Sequence, residues 1–218
     1  RLSLLAIRST IADNYLAHLA RCMLRLTGSA VQVEGLHRIP QGPVVLISNH
    51  QGHFDSAVIL AYIRKPKAFI ASTNAEKFPI FRTWFNFAHT IYLEKDNARQ
   101  NHNALQDAKK VIAAGRSVVI YPEGVISSGP QMAQFKRGAF KLAFTTGVPI
   151  VPLVIDGTWK VMGSQNDTIQ PAKIMARVLP PVSTKDLSRL EQQALPDQIY
   201  RSIEEGLEDI RSAPLRER

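Results

Sequence analysis

Apolar positions near the start of the chain recur at helical spacing. Leu4, Ile7, Ile11, Tyr15, Leu19, Met23 and Leu26 form one stripe, and Arg8, Asp13, Asn14, His18, Arg21 and Arg25 take the other face. The pattern predicts an amphipathic helix, or a helical pair, over residues 2–26. Such a stripe either packs on a core or lies in a lipid interface with its arginines toward the headgroups. From residue 42 the period changes. Short β-rich apolar runs at 44–48, 68–72, 90–93, 117–121, 150–155 and 174–179 alternate with helical stretches at 56–64, 78–87, 98–114 and 135–146. A last amphipathic helix is predicted from Pro196 to Ile210. Strands separated by helices imply an α/β fold with a mostly parallel or mixed sheet flanked by helices. No repeat or long linker interrupts the pattern. Residues 31–218 therefore read as one domain, and residues 1–30 as an N-terminal amphipathic segment.

Composition narrows the partners. The chain has 218 residues, 45% of them hydrophobic, enough for one domain with its own core. The single cysteine, Cys22, has no partner for an internal disulfide. A net charge of +9 favours an anionic partner: nucleic acid, an anionic membrane surface or an acidic carrier protein. The basic residues are scattered, and no recognition helix, zinc or base-stacking motif accompanies them, which argues against nucleic acid. No run approaches the roughly 20 consecutive apolar residues of a membrane-spanning helix.

Candidate chemistry begins after the first of these strands, in Asn49-His50-Gln51-Gly52-His53-Phe54-Asp55. Ligands bind α/β sheets where strands end and loops begin. On a continuous helix, His50 and Asp55 would diverge by about 140°, so they meet only if the chain turns between them, and Gly52 offers the turn. A carboxylate on one imidazole nitrogen fixes the tautomer and leaves the other nitrogen to accept a proton from a hydroxyl. Competing readings are Asp55 as the N-cap of the following helix, a metal site from His50, His53 and Asp55, and a structural histidine. The metal spacing is sparse, with no further ligands after it.

A second constellation follows the strand at 117–121: Tyr121-Pro122-Glu123-Gly124-Val125-Ile126-Ser127-Ser128. If its strand neighbours the one before His50, both loops open on one cleft. Glu123 is then placed to hydrogen-bond acceptor hydroxyls, and the Gly124 N–H to face a developing oxyanion. The plain alternative is an exposed Pro-Glu-Gly turn. Downstream, Lys136, Arg137 and Lys141 put cations at a predicted helix start, where the macrodipole disfavours them; a held anion would explain them, and so would an ordinary solvated face, the commoner case.

Together these residues resemble the glycerolipid acyltransferase family of the PlsC type, typified by lysophosphatidic acid acyltransferases. The family's N-H-x-x-x-x-D is matched by Asn49, His50 and Asp55. Its F-P-E-G-T-R-S is matched in part by Tyr121, Pro122, Glu123, Gly124 and Ser127. Its F-K-x-G-A-F is matched by Phe135, Lys136, Gly138, Ala139 and Phe140, and its V-P-I-V-P by residues 148–152. Four motifs in order, over roughly residues 30–212, make the resemblance specific.

The resemblance implies transfer of a fatty acyl group from acyl carrier protein or coenzyme A to a lipid hydroxyl, with 1-acylglycerol-3-phosphate the expected acceptor. It implies His50 as general base and Asp55 as its orienter, with no metal, no resident cofactor and no covalent acyl-enzyme. Asn49, Glu123, Gly124, Lys95, Lys136 and Arg137 are the expected substrate contacts. A peripheral position at the cytoplasmic face of a membrane follows from the family's thioester donors and N-terminal helices.

Three positions depart from the family. Leu93-Glu94-Lys95 stands for I-D-R, Ile126 for the arginine of the third motif, and Ser72-Thr73 for a lysine pair. Lysine keeps charge without the bidentate fork that suits phosphate, so another lipid acceptor, or a non-catalytic lipid-binding homologue, stays open as an alternative. A serine hydrolase is disfavoured because the chain has no G-x-S-x-G elbow.

Overall fold

The computed structural model describes residues 2–72, 90–93, 97–127, 129–162 and 168–212. In chain order these form α1 (Leu2–Leu26), β1 (Ala30–Glu34), β2 (Val45–Ser48), α2 (Asp55–Tyr62), β3 (Lys67–Ser72), β4 (Ile91–Leu93), α3 (Ala98–Ala113), β5 (Ser117–Ile120), α4 (Lys141–Thr146), β6 (Ile150–Asp156), β7 (Lys173–Val178) and α5 (Arg189–Ser212). One seven-stranded sheet runs β1-β7-β6-β2-β5-β3-β4. Strands β6, β2, β5, β3 and β4 are mutually parallel, and β7 joins β6 antiparallel, so the sheet is mixed, as expected. Strands β2 and β5 are direct neighbours, with Val45, Leu46 and Ile47 opposite Val118, Val119 and Ile120. The loops after β2, β5 and β6 therefore leave the same edge of the sheet.

All four residues of β2 and of β5 are buried, the continuous apolar run typical of a parallel strand covered on both faces. Alternate side chains feed two cores. Leu46, Val119, Val151 and Leu153 point to the side covered by α1 and α2. Val45, Ile47, Val118, Ile120 and Val154 point to the side covered by α3, α4 and α5.

Several elements differ from expectation. Strand β1 was not predicted: it is a five-residue edge strand, half-buried and paired only with β7, so its alternation is weak. Helix α5 begins at Arg189 rather than Pro196, because Ser188 and Glu191 form a capping box: Glu191 N donates to Ser188 Oγ (3.3 Å) and Ser188 N to Glu191 Oε2 (2.7 Å). Pro196 lies inside the helix, buried. The helix expected over 135–146 is a 3₁₀ turn (Arg137–Phe140) leading into α4. The helix expected at 78–87 lies outside the described residues.

Helix α1 uses a face other than the predicted stripe. Leu16, Ala20 and Leu24 are buried, and Ala20 and Leu24 join the cluster that holds Ala57, Val58 and Ala61 of α2. Of the stripe, Met23 packs partly on this core, whereas Ile11, Tyr15 and Leu26 are 64%, 66% and 88% exposed, and Leu19 is exposed as well. The helix therefore has two apolar faces, one docked and one free. The side chains of residues 2–10, including Leu4 and Ile7, lie outside the described set. No helix among the described residues is long and apolar enough to cross a membrane.

Candidate active site

The chain reverses immediately after β2. Asp55 N donates to Gly52 O at 3.2 Å, which folds the loop so that His50 and Asp55 face each other. His50 Nδ1 lies 2.8 Å from Asp55 Oδ2. A carboxylate accepts, so the ring hydrogen sits on Nδ1 and Nε2 keeps a lone pair. Nε2 has no partner among the described residues, and the His50 side chain is 17% exposed. Gly52 serves close packing rather than a left-handed turn: a Cβ there would stand 3.1 Å from the Thr158 carbonyl and the Trp159 amide.

Asp55 is the first residue of α2 and not its N-cap, a position held by Phe54. Its fully buried carboxylate reaches back instead. Oδ2 also accepts from Gln51 N (2.7 Å) and Gly52 N (3.0 Å), and Oδ1 accepts from the Thr158 hydroxyl. Four donors converge on it, as suits a group that only accepts when ionised.

The loop after β5 closes over His50. Glu123 Oε1 accepts from His50 N at 2.7 Å, while Ser127 donates to His50 O through N (2.9 Å) and Oγ (3.0 Å). His50 is thus held at both backbone groups, from Glu123 and Ser127 at the two ends of a short arch, residues 124–126. Tyr121 stacks on the imidazole at 4.0 Å and 13°, and its hydroxyl meets Ser56 Oγ of α2 at 3.0 Å. Burial, helped by the Asp55 charge, pushes the Tyr121 phenol well up, so it stays neutral. Burial also raises Glu123, against the backbone bonds that favour its ionised form. Burial lowers His53, helped by neighbouring His50.

The expected substrate contacts divide. Glu123 is buried, and its other oxygen, Oε2, accepts from Ala133 N at 2.7 Å, so the carboxylate ties two loops together. Asn49 is fully buried and bridges to β6, its Nδ2 donating to Ile155 O and its Oδ1 accepting from Ile155 N, both at 2.8 Å. Gly124 has φ 68°, and its N–H donates to Tyr121 O at 3.1 Å. The amides of Val125 and Ile126 have no acceptor among the described residues. Lys136 comes to the arch: a Cβ at position 124 would fall 2.5 Å from its Nζ. Arg137 turns away to α5, donating to Asp197 (3.0 Å) and Gln193 O (3.1 Å). Lys95 lies outside the described residues.

Two contributors were absent from the sequence reading. Thr158 reaches Asp55 from the turn after β6, and Gln51 bridges to the same turn, its Nε2 donating to Asp156 Oδ1 and its Oε1 accepting from Gly157 N, both at 3.1 Å. The order V-P-I-V-P marked β6, but nothing in it indicates which residue beyond the strand returns to the site.

The Acyltransferase family profile matches residues 30–156, more than half of the chain and every element of the dyad site up to Asp156. The chain belongs to the Acyltransferase family. It is similar to a solved structure, the 1-acyl-sn-glycerophosphate acyltransferase PlsC of Thermotoga maritima, with a TM-score of 0.81 and 25% identity, covering 94% of this chain and 81% of that one. A chloroplastic 1-acyl-sn-glycerol-3-phosphate acyltransferase of Arabidopsis thaliana is 31% identical over 64% of this chain and 39% of its own length. The 1-acyl-sn-glycerol-3-phosphate acyltransferase of Saccharomyces cerevisiae is 26% identical over 89% of this chain and 67% of its own. The chain thus spans about two fifths of the length of the Arabidopsis relative.

Proposed function

We propose that this chain transfers a fatty acyl group from an acyl thioester, on acyl carrier protein or coenzyme A, to the hydroxyl of 1-acylglycerol-3-phosphate in phospholipid biosynthesis, with neither metal nor resident cofactor. The observation that carries the reading is His50 Nδ1 seated on buried Asp55 with Nε2 left open. Nε2 takes the proton of the acceptor hydroxyl as its oxygen attacks the thioester carbonyl. The tetrahedral intermediate collapses, the C–S bond breaks, and the imidazolium returns the proton to the leaving thiolate. Asp55 and the stacked Tyr121 ring both favour the transient imidazolium.

The donors available to the oxyanion are the amides of Val125 and Ile126 in the arch, with the Lys136 ammonium over Gly124. Lys136 and Lys95 are the cations for the acceptor phosphate. The acceptor in the names of the relatives supports this choice. The exposed apolar face of α1 supports peripheral attachment to a membrane, where such an acceptor resides. The cytoplasmic face follows from the thioester donors.

The test is transfer from labelled acyl-thioesters, one on carrier protein and one on coenzyme A, to a panel of lysolipids in anionic vesicles. Acylation of 1-acylglycerol-3-phosphate ahead of the phosphodiester lysolipids is the expected result. A chain that binds the vesicles but acylates nothing in the panel would instead be a lipid-binding homologue.

A further inference from the structure

The two oxygens of Asp55 are served unequally. Among the described residues Oδ2 has three donors, His50 Nδ1, Gln51 N and Gly52 N, whereas Oδ1 has one, the Thr158 hydroxyl. Thr158 is itself fully buried. The turn that carries it is shaped to come this close. Gly157 has φ 95°, and a Cβ there would collide with the Lys173 carbonyl oxygen. Gly52 lets the dyad loop lie directly on the Thr158 peptide. Gln51 fastens the same turn at Asp156 and Gly157, and Arg211 of α5 holds Asp156 Oδ1 from the other side at 2.8 Å while donating to Pro130 O at 2.7 Å. The catalytic loop therefore docks on residues 156–159 through a glutamine, a glycine and the aspartate itself.

We propose that Thr158 is a positioning residue of the transfer reaction, acting on His50 through Asp55. Its hydroxyl pins Oδ1, which stops the carboxylate from rotating about Cβ–Cγ and keeps Oδ2 on the imidazole. Without it, Oδ1 is a buried anionic oxygen with no donor. The carboxylate then relaxes by turning toward another donor, which weakens the bond that orients His50. A threonine that only filled space would be replaceable by valine, which has nearly its shape and lacks only the hydroxyl. The inference rests on the acyl-transfer reading above.

The test compares Thr158→Val and Thr158→Ser in the full chain, with vesicles, acyl-thioester and 1-acylglycerol-3-phosphate. Thr158→Val is expected to lower kcat about 10- to 100-fold, the effect of leaving a buried charged acceptor without its donor. KM is expected to move by less than about twofold, and Thr158→Ser to retain most of the rate. In an Asp55→Asn background the valine substitution should have little further effect, because the two act as one unit. A Thr158→Val enzyme within twofold of wild type overturns the proposal. So does a serine variant as impaired as the valine one, or a valine effect undiminished without Asp55.

A second readout needs no turnover: the downfield proton resonance of His50 Nδ1–H, assigned by its loss in His50→Ala. It should exchange faster in Thr158→Val and persist in Thr158→Ser; an unchanged resonance in Thr158→Val counts against the proposal. If wild type transfers nothing while the resonance responds this way, the transfer reading fails and the hold of Thr158 on the dyad stands.

Discussion

The two ends of the parallel strands bury charge in different ways. At the C-terminal ends, the fully buried Asp55 collects donors from two backbone amides, an imidazole and a hydroxyl. At the N-terminal ends, Asp13 of α1 pairs through both oxygens with Arg116, at 2.9 and 3.2 Å, and Arg116 also donates to Lys67 O. Lys67 is 6% exposed, and burial holds its ammonium down to about 8 despite nearby Asp13. Arg116 Nε is buried without a partner among the described residues. The first arrangement satisfies the charge with fixed groups and leaves one reactive nitrogen open. The second pairs two charged side chains with each other and fastens α1 to the start of β5. Several donors on one buried carboxylate, beside an imidazole nitrogen with no partner among the described residues, therefore separate the candidate active site from an ion cluster of similar composition.

Substitutions can break or sharpen that contrast. The largest effect is expected from Asp55→Asn, which removes the orienting carboxylate and should lower kcat by about 10²- to 10⁴-fold, measured by acyl transfer at saturating acceptor. Next is Lys67→Met at the opposite end. Between about 8 and the ordinary 10.5 the unfolded chain holds more protons than the folded one, so Lys67 makes stability rise with pH through this window. Below it, the methionine variant should be the more stable by on the order of 3 kcal/mol, and the difference should vanish by the upper end. Urea titrations at several pH values check this, and acyl transfer should stay intact.

Glu123→Gln should destabilise by about 1–3 kcal/mol, because the new amide sets N–H against N–H at His50 or Ala133. Thermal unfolding reads this, with a parallel fall in rate. The smallest effect belongs to Tyr121→Phe, which keeps the stacked ring and loses only the bond to Ser56. About 0.5–1.5 kcal/mol of stability and only a modest drop in kcat are expected.

These residues also mark what could be read in the chain. The strands after residue 42 were legible because buried parallel strands are continuous apolar runs, and β2 and β5 are such runs. His50 and Asp55 were legible because the pair is local and only a turn was needed to join them. The surroundings were not. A Pro-Glu-Gly turn exposes its glutamate as readily as it buries it, and only the structure gives Glu123 two amide donors. Thr158 lies 103 residues from Asp55, and its arrival depends on how β6 ends. The docked face of α1 was misread because both faces are apolar, and spacing alone does not say which one meets α2.

The most direct test of the account is the rate of acyl transfer to 1-acylglycerol-3-phosphate by His50→Ala beside wild type, with vesicle binding and thermal unfolding measured on both proteins. Removing the general base should lower the rate by about 10²- to 10⁴-fold while binding and folding stay as they were. A His50→Ala protein that folds, binds vesicles and transfers at the wild-type rate would contradict the dyad as the catalytic centre.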